Sequence, residues 1–205
     1  MTPAADAVRS LPPVVLYLHG FRSGPASAKA QMMAQALRER DLALHWICPQ
    51  LPASPRETAA LIESLAAPHA GRLVLVGSSL GGYYATWLAE RVGCPAILLN
   101  PAVHPARELA KHVGEQAMFH SDAPFVFRPE YVDELRALAV PQITRPERYF
   151  LVAATGDEVL DWREMVAHYP HARHRVIPGS DHSISDFARW LPEVLAFAGI
   201  DAPTS

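Results

Sequence analysis

The stretch VLVGSSLGGYYATWL, Val74 to Leu88, joins an apolar run to an amphipathic one through two serines and two glycines. The β-branched and leucine residues before Gly77 are typical of a buried strand, and the residues from about Leu80 to Val92 favour a helix. Small residues between a strand and a helix indicate a sharp turn. The sequence therefore predicts a strand, a tight turn that carries a serine, and a helix.

Apolar runs and amphipathic stretches alternate in the same way along the rest of the chain. Strands are predicted at 14–18, 43–48, 72–77, 96–100, 148–154 and 172–177. Helices are predicted at 27–40, from a capping box at Ser54 to Glu57, and at 183–198 after a capping signal of Ser183 and Asp186. This alternation predicts an α/β fold, with a mostly parallel sheet of about six strands and helices on both faces.

One segment interrupts the alternation. Residues 101–147 separate two predicted strands by far more than the few residues usual in such folds, so we expect a small cap insertion with helices at 105–112 and 129–138. The insertion leaves the sheet at the carboxyl end of its strand, where α/β sheets bind ligands, and is expected to cover the site. Residues 13–200 are expected to form a single domain, after a disordered tail at 1–12.

Composition limits the classes of partner. The chain has 205 residues, of which 50% are hydrophobic and 19% charged, as in a soluble globular protein. Its net charge of -3 and the absence of a basic run argue against nucleic acid or an acidic membrane as partner. No apolar run reaches the roughly 18 residues of a membrane span and no signal-peptide pattern is present, so a cytoplasmic location is expected. The histidine spacings do not indicate a metal site, and no metal or cofactor is expected.

Ser79 is the candidate nucleophile. A G-x-S-x-G turn needs glycine two residues before and two after the serine, because neighbouring chain comes too close for a Cβ. Gly77 and Gly81 flank Ser79 at this spacing, whereas Ser78 would be flanked by Val76 and Leu80. Ser78 is interpreted as a small residue packed beneath the turn.

A serine hydroxyl needs a base, and the base needs an acid to orient it. In α/β-hydrolases the acid follows a late strand and the histidine lies on the loop after the final strand. His182 has that position among ten histidines, and Asp157 is the first carboxylate after the preceding strand. Glu158 and Asp161 remain alternatives for the acid.

Acyl transfer also needs donors for the oxyanion. The backbone N–H groups of Leu80, after the serine, and of Phe21, on the loop after the first strand, are the candidates. His19 in the same loop is interpreted as a residue that holds the loop in place.

Five motifs, LYLHGFRSGPASAKA, GSSLGGYYATWLAE, LLNPAV, TGDEVLD and GSDHSISDF, resemble those of the YqiA-like esterases, small bacterial α/β-hydrolases. The similarity runs from about Val14 to Ala198. It implies esterase activity on acyl esters, with acyl thioesters as a second substrate class. It also implies a triad on the serine of GSSLGG, the aspartate of TGDEVLD and the histidine of GSDHS, which are Ser79, Asp157 and His182.

The sequence thus predicts a serine esterase that hydrolyses a small-molecule acyl ester through an acyl-enzyme. An acyl-CoA thioesterase with the same triad, and a non-catalytic ligand-binding protein on a hydrolase fold, are the alternatives; the oligomeric state stays open. The insertion is rich in apolar side chains. Those expected to line the acyl pocket are Phe119, Phe125, Phe127 and Tyr131.

Overall fold

The computed structural model describes residues 11–200 and is built around a parallel sheet of six strands. These strands are β1 Val14–Leu18, β2 Trp46–Ile47, β3 Leu73–Ser78, β4 Ala96–Leu99, β7 Tyr149–Ala154 and β8 Arg173–Ile177. They lie in the order β2-β1-β3-β4-β7-β8, and each neighbouring pair is parallel. Two short strands, β5 Gly114–Gln116 and β6 Phe125–Phe127, pair antiparallel apart from this sheet. Of the predicted tail at 1–12, all but Leu11 and Pro12 lies outside the described residues.

Helices cover both faces of the parallel sheet. They are α1 Ala28–Arg38, α2 Pro55–Ala66, α3 Leu80–Val92, α4 Pro105–Leu109, α5 Glu130–Ala137, α6 Trp162–His168 and α7 Phe187–Phe197. Buried residues of α2, α3, α5 and α6 join one core cluster, and those of α1 and α7 join the other. The predicted α/β fold with helices on both faces is confirmed.

The central strands β1, β3, β4 and β7 are buried along their whole length, and their successive side chains point to opposite faces of the sheet. In β1, Leu16 and Leu18 contribute to the first cluster, whereas Val15 and Tyr17 contribute to the second. Each of these four side chains is at most 1% exposed. The apolar runs in the sequence therefore mark central strands rather than half-exposed ones.

The capping signals behave differently at two helices. At α2 the prediction is confirmed, because the Ser54 hydroxyl accepts a hydrogen bond from the Glu57 N–H at 3.2 Å and Pro55 occupies the first helical position. The predicted start of the last helix at Ser183 is wrong, since α7 begins at Phe187. The Asp186 carboxylate, expected to complete the cap, instead accepts hydrogen bonds from the side chains of Ser180 and Trp190.

The predicted strand at 43–48 is also largely wrong. Residues 43–45 form a 3-10 helix and only Trp46 and Ile47 pair with β1. Leu44 is 97% exposed, so this part of the apolar run does not enter the core.

The site lies at the carboxyl edge of the sheet. After β1, the chain forms β2 on one side of β1 and then β3 on the other side. The direction of strand order therefore reverses between β1 and β3. Such a switch point opens a crevice at the carboxyl ends of the strands. The loops after β1 and β3 carry Phe21 and Ser79, and both reach this crevice.

Candidate active site

Ser79 stands in a strained turn between β3 and α3. Its φ of 55° and ψ of -121° lie outside the regions that side-chain-bearing residues prefer. A Cβ on Gly81 would collide with the Leu18 carbonyl, and one on Gly77 would collide with the Gly81 carbonyl. The two glycines therefore let the helix start close against the neighbouring strand. This is the close approach that the G-x-S-x-G spacing around Ser79 predicts.

Backbone hydrogen bonds hold the Ser79 turn on both sides. The Ser79 N–H donates to the Leu99 carbonyl at 3.0 Å, and the Ala102 N–H donates to the Ser79 carbonyl at 3.0 Å. Because these bonds tie the turn to the end of β4, the hydroxyl is fixed in the crevice by the sheet itself.

The structure brings Ser79, His182 and Asp157 together. His182 Nε2 lies 3.0 Å from Ser79 Oγ, and His182 Nδ1 lies 2.8 Å from Asp157 Oδ2. The Asp157 side chain is fully buried, whereas that of His182 is 18% exposed. An imidazole between a hydroxyl and a buried carboxylate can take the hydroxyl proton, and the carboxylate stabilises the resulting cation.

Asp157 is oriented by its own turn. Its Oδ1 accepts hydrogen bonds from the N–H groups of Val159 and Leu160, both at 2.8 Å, which leaves Oδ2 for His182. The two alternative acids contact other groups. Glu158 Oε2 accepts from the His182 backbone N–H at 2.9 Å, and Asp161 caps α6 by accepting from the Arg163 N–H.

The loops after β7 and β8 are joined by hydrogen bonds that bring Asp157 to His182. The Thr155 N–H donates to the Ile177 carbonyl and the Gly156 N–H to the Gly179 carbonyl. In return, the Gly179 N–H donates to Thr155 Oγ1 at 2.9 Å. The adjacent parallel strands β7 and β8 thus place the side chains of Asp157 and His182 side by side.

Asn100 is a positioning residue that the sequence reasoning missed. It is fully buried at the end of β4, with a φ of 43°. Its Oδ1 accepts from the Ala154 N–H at 2.8 Å, and its Nδ2 donates to the carbonyls of Asp181 and His182 at 3.1 and 3.0 Å. The signal available in the sequence was a polar residue at the end of an otherwise apolar strand. In the structure, Asn100 links the loop that carries His182 to the centre of the sheet.

The two predicted oxyanion donors lie beside Ser79. Leu80 is the first residue of α3, so its N–H has no acceptor within the helix. The loop that carries Phe21 lies against the serine, since a Cβ on Gly20 would come within 3.2 Å of Ser79 Cβ. The Phe21 ring is held edge-on by Phe125 and Phe127, each at 5.3 Å between ring centroids.

His19 holds the loop after β1, as predicted. Its Nδ1 lies 2.9 Å from the Gly20 carbonyl, and its Nε2 accepts the Leu51 N–H at 2.9 Å. Burial lowers the pKa of His19, which favours the neutral ring that this pattern of one donor and one acceptor requires.

Two cavities meet at Ser79. The larger has a volume of about 570 Å³ and the smaller about 230 Å³. Both are lined by Ser79, His182, Phe21, Phe119 and Val159. The larger cavity is bordered on its far side by Tyr17, Ser23, Ser27 and Lys29, and the smaller by Ala102, Leu109 and Leu160. The wall of the smaller cavity also contains Arg22, Glu108 and Lys111. The site can therefore hold two parts of a substrate, one beside the hydroxyl and ammonium groups of the larger cavity and one beside the leucines of the smaller.

The four residues expected to line the acyl pocket occupy two different places in the structure. Phe119, from the insertion, lines both cavities. Phe125, Phe127 and Tyr131 line neither of them. Phe127 is 1% exposed and packs edge-on against Tyr131 as well as Phe21, so the aromatic residues of β6 form a core beneath Phe21.

The described part of the chain, residues 11–200, holds no group of three or more histidine, cysteine, aspartate or glutamate side chains arranged to bind a metal ion. None of its helices combines the length and the apolar character needed to cross a membrane.

Several solved structures share this fold. Est1E from Butyrivibrio proteoclasticus, solved with ferulic acid bound, is 16% identical with a TM-score of 0.68, and the match covers 89% of this chain and 86% of that one. Alpha/beta hydrolase domain-containing protein 10 from mouse is 17% identical with a TM-score of 0.64, over 90% of each chain. A structure from a study of the metagenome-derived lipolytic enzymes LipS and LipT is 18% identical with a TM-score of 0.64, over 92% of this chain and 96% of that one.

The sequence also matches a family model over nearly its whole length. The model describes an uncharacterised protein family, UPF0227, and the match spans residues 14–199. The strand order, the serine turn and the neighbouring structures agree with the fold that the five sequence motifs imply. The chain belongs to UPF0227, the YqiA family, and has the α/β-hydrolase fold.

Proposed function

We propose that the protein is a serine esterase that hydrolyses carboxylic acyl esters through an acyl-enzyme on Ser79. The observation that carries this proposal is the hydrogen-bonded series from Ser79 through His182 to the buried Asp157. The esterase and lipolytic names of structures with the same fold support it.

Acylation would begin at the hydroxyl of Ser79. Its Oγ attacks the carbonyl carbon of the ester while its proton passes to His182 Nε2. The negative charge that develops on the carbonyl oxygen is stabilised by the N–H groups of Phe21 and Leu80. The bond to the leaving oxygen then breaks, and that oxygen takes the proton from His182 and departs as an alcohol.

Deacylation would reverse these roles with water. His182 removes a proton from a water molecule, whose oxygen attacks the acyl carbon, and Ser79 Oγ departs with the proton that His182 returns. One ester and one water give one carboxylic acid and one alcohol. Asp157 stays ionised throughout and stabilises the imidazolium form of His182.

Labelling with a fluorophosphonate, measured by intact mass, tests the nucleophile. The wild-type protein should gain one adduct and hydrolyse p-nitrophenyl acetate. Ser79→Ala should lose the adduct and most of the activity, whereas Ser78→Ala should still gain it. As a surface control, Ser64→Ala changes an exposed hydroxyl of α2 and should behave as wild type. An adduct on Ser79→Ala would overturn the assignment.

A further inference from the structure

Lys29 lies in the wall of the larger cavity, in the first turn of α1. Its Nζ donates a hydrogen bond to the Ser183 carbonyl at 2.5 Å, one residue beyond His182. An ammonium group has three donors, so two remain after this bond. The cation is thus placed next to the candidate base, on the side of the polar cavity.

This placement is unfavourable for a lysine. Burial lowers the pKa of Lys29 to about 8, although the charges of Asp181 and Asp157 oppose this shift. A cation in the first turn of a helix also opposes the helix dipole. Within residues 11–200, no carboxylate lies at ion-pair distance from Nζ. A half-buried cation that opposes its helix dipole and has no carboxylate at ion-pair distance is typical of a functional site rather than of a stabilising contact.

The rest of the cavity wall supplies further polar groups. Ser27 Oγ is buried in it, near the Tyr17 hydroxyl. Glu158 also lines the cavity, but one of its carboxylate oxygens accepts the His182 N–H. Lys29 therefore supplies the positively charged donors of this cavity, which suit an anion, while Glu158 supplies its one carboxylate.

The two cavities differ in what they can hold. The smaller one has an apolar side of Leu80, Ala102, Leu109 and Leu160, which suits an acyl chain. Its wall also contains Arg22, Glu108 and Lys111. His182, which must return a proton to the leaving oxygen, lines both cavities, and the larger one continues past it to Glu158, Ser183 and Lys29. The leaving group would then extend into the polar cavity, toward Lys29.

We propose that the larger cavity binds the leaving group of the ester and that Lys29 binds an oxyanion, a carboxylate or a phosphate, carried by that group. This inference rests on the proposed role of Ser79. It names the substrate class as acyl esters of anionic alcohols or phenols.

Acetate esters of phenols with a charged or a neutral para substituent test this inference, with each kcat/KM divided by that ester's own rate constant for hydroxide-catalysed hydrolysis. The probes are 4-acetoxybenzoate and 4-acetoxyphenyl phosphate, each compared with neutral methyl 4-acetoxybenzoate. For wild type we expect kcat/KM to be about tenfold higher for at least one anionic ester, as one charge-assisted hydrogen bond provides. The anion with the higher ratio identifies the group.

Variants of the two lysines in the chain provide the comparison. Lys29→Met should reduce the anionic-to-neutral ratio to about one, and Lys29→Arg should retain part of it. Lys111 lines the smaller cavity, so Lys111→Met should keep the wild-type ratio. Because each ratio is taken within one variant, a general loss of activity cancels. A wild-type ratio near one, or an unchanged ratio in Lys29→Met, overturns the anion site while leaving the esterase intact. Failure to cleave any of the esters overturns both proposals.

The ratio should also depend on pH. Lys29 is charged below its pKa of about 8, so the preference for the anionic ester should be present at pH 7 and lost as the pH rises through 8. The charged or titratable groups that face Lys29 in the cavity or act on its charge are Asp157, Glu158, Asp181, His182 and His120. Their effects on the acyl-transfer step are shared by the charged and neutral esters. A ratio that stays constant from pH 7 to 9 would contradict this assignment.

Discussion

At Ser79, the backbone is held in a conformation that a residue with a side chain seldom adopts. Such strain costs roughly 1–3 kcal/mol and persists only where the surroundings impose it. Here the hydrogen bonds to Leu99 and Ala102 impose it. The strain keeps the hydroxyl pointed into the crevice before any substrate arrives.

The proposed role of Asp157 leads to a prediction at this scale. Asp157→Asn keeps the size of the side chain and an oxygen that can accept from the Val159 and Leu160 N–H groups. It places an amide N–H beside His182 Nδ1, which favours the tautomer protonated on Nε2, and this tautomer cannot accept the Ser79 proton. We expect kcat for p-nitrophenyl acetate to fall by about 10⁴, as for the equivalent change in the serine protease triad. Asp161→Asn should lower kcat by less than tenfold, since Asp161 caps α6. If the Asp161 variant is the more damaged, the acid is misassigned.

The residues that the sequence could identify are those whose roles depend on near neighbours. Ser79 was found from glycines two positions away, and Asp157 from its place after a strand. Asn100 and Lys29 contact groups that are 54 to 154 positions distant in the chain. Nothing in the local pattern shows which distant loop an asparagine or lysine will meet, because strand order decides it.

At the scale of elements, the central strands and the helices beside them were predictable because each buries a whole face, whereas the predicted strand at 43–48 was largely wrong. The loop from Ser180 to Asp186 was not predictable, because its structure depends on specific contacts. The Asp181 carboxylate accepts from the Ser185 N–H at 2.9 Å, and Ile184 is buried at a φ of 49°. These contacts hold the loop in an irregular form where a capping signal favoured a helix. The pairing of β5 with β6 was likewise missed, since each has three residues.

The aromatic residues of the insertion divide into two roles that a pair of variants can separate. Phe119 is 64% exposed and lines both cavities, so Phe119→Ala should change relative kcat/KM across p-nitrophenyl acetate, butyrate and octanoate by up to about tenfold. The Tm of the Phe119→Ala protein should change little. Phe127→Ala should instead cost about 3–5 kcal/mol in the free energy of unfolding, since Phe127 is buried beneath Phe21. Equal chain-length profiles for wild type and a folded Phe119→Ala would exclude Phe119 from the acyl site.

At the scale of the whole molecule, Glu90 of α3 fastens the end of the insertion. Its carboxylate accepts hydrogen bonds from Thr144 and from the Tyr149 hydroxyl at the start of β7. Burial alone would raise the pKa of Glu90, but these hydrogen bonds and the charge of Arg148 outweigh it, so the pKa lies below its ordinary value. The ionised carboxylate therefore stabilises the folded chain.

The pH dependence of stability tests this anchor. A carboxyl group whose pKa is lowered in the folded state contributes stability above its unfolded pKa of about 4.3, and this is lost as the pH falls through the folded value. Glu90→Gln should therefore lower Tm at pH 7 and narrow its difference from wild type at pH 3.5. Glu39→Gln changes an exposed carboxylate of the α1 end and serves as the control. A difference in Tm that is the same at both pH values would show that the ionised form of Glu90 is not what stabilises the fold.

The parallel pairing of β4 with β7 gives residues 100–148 a second task. A chain that leaves one parallel strand at its carboxyl end must travel back across the sheet before it can begin the next. The segment that roofs the crevice is also that return path, and its helix α5 packs against α2 on the way. The residues between α4 and α5 can therefore be lengthened or substituted to change which substrates fit. Deleting the whole segment would instead prevent β7 from pairing parallel to β4. The same segment thus lines the site and makes the connection that the parallel sheet requires.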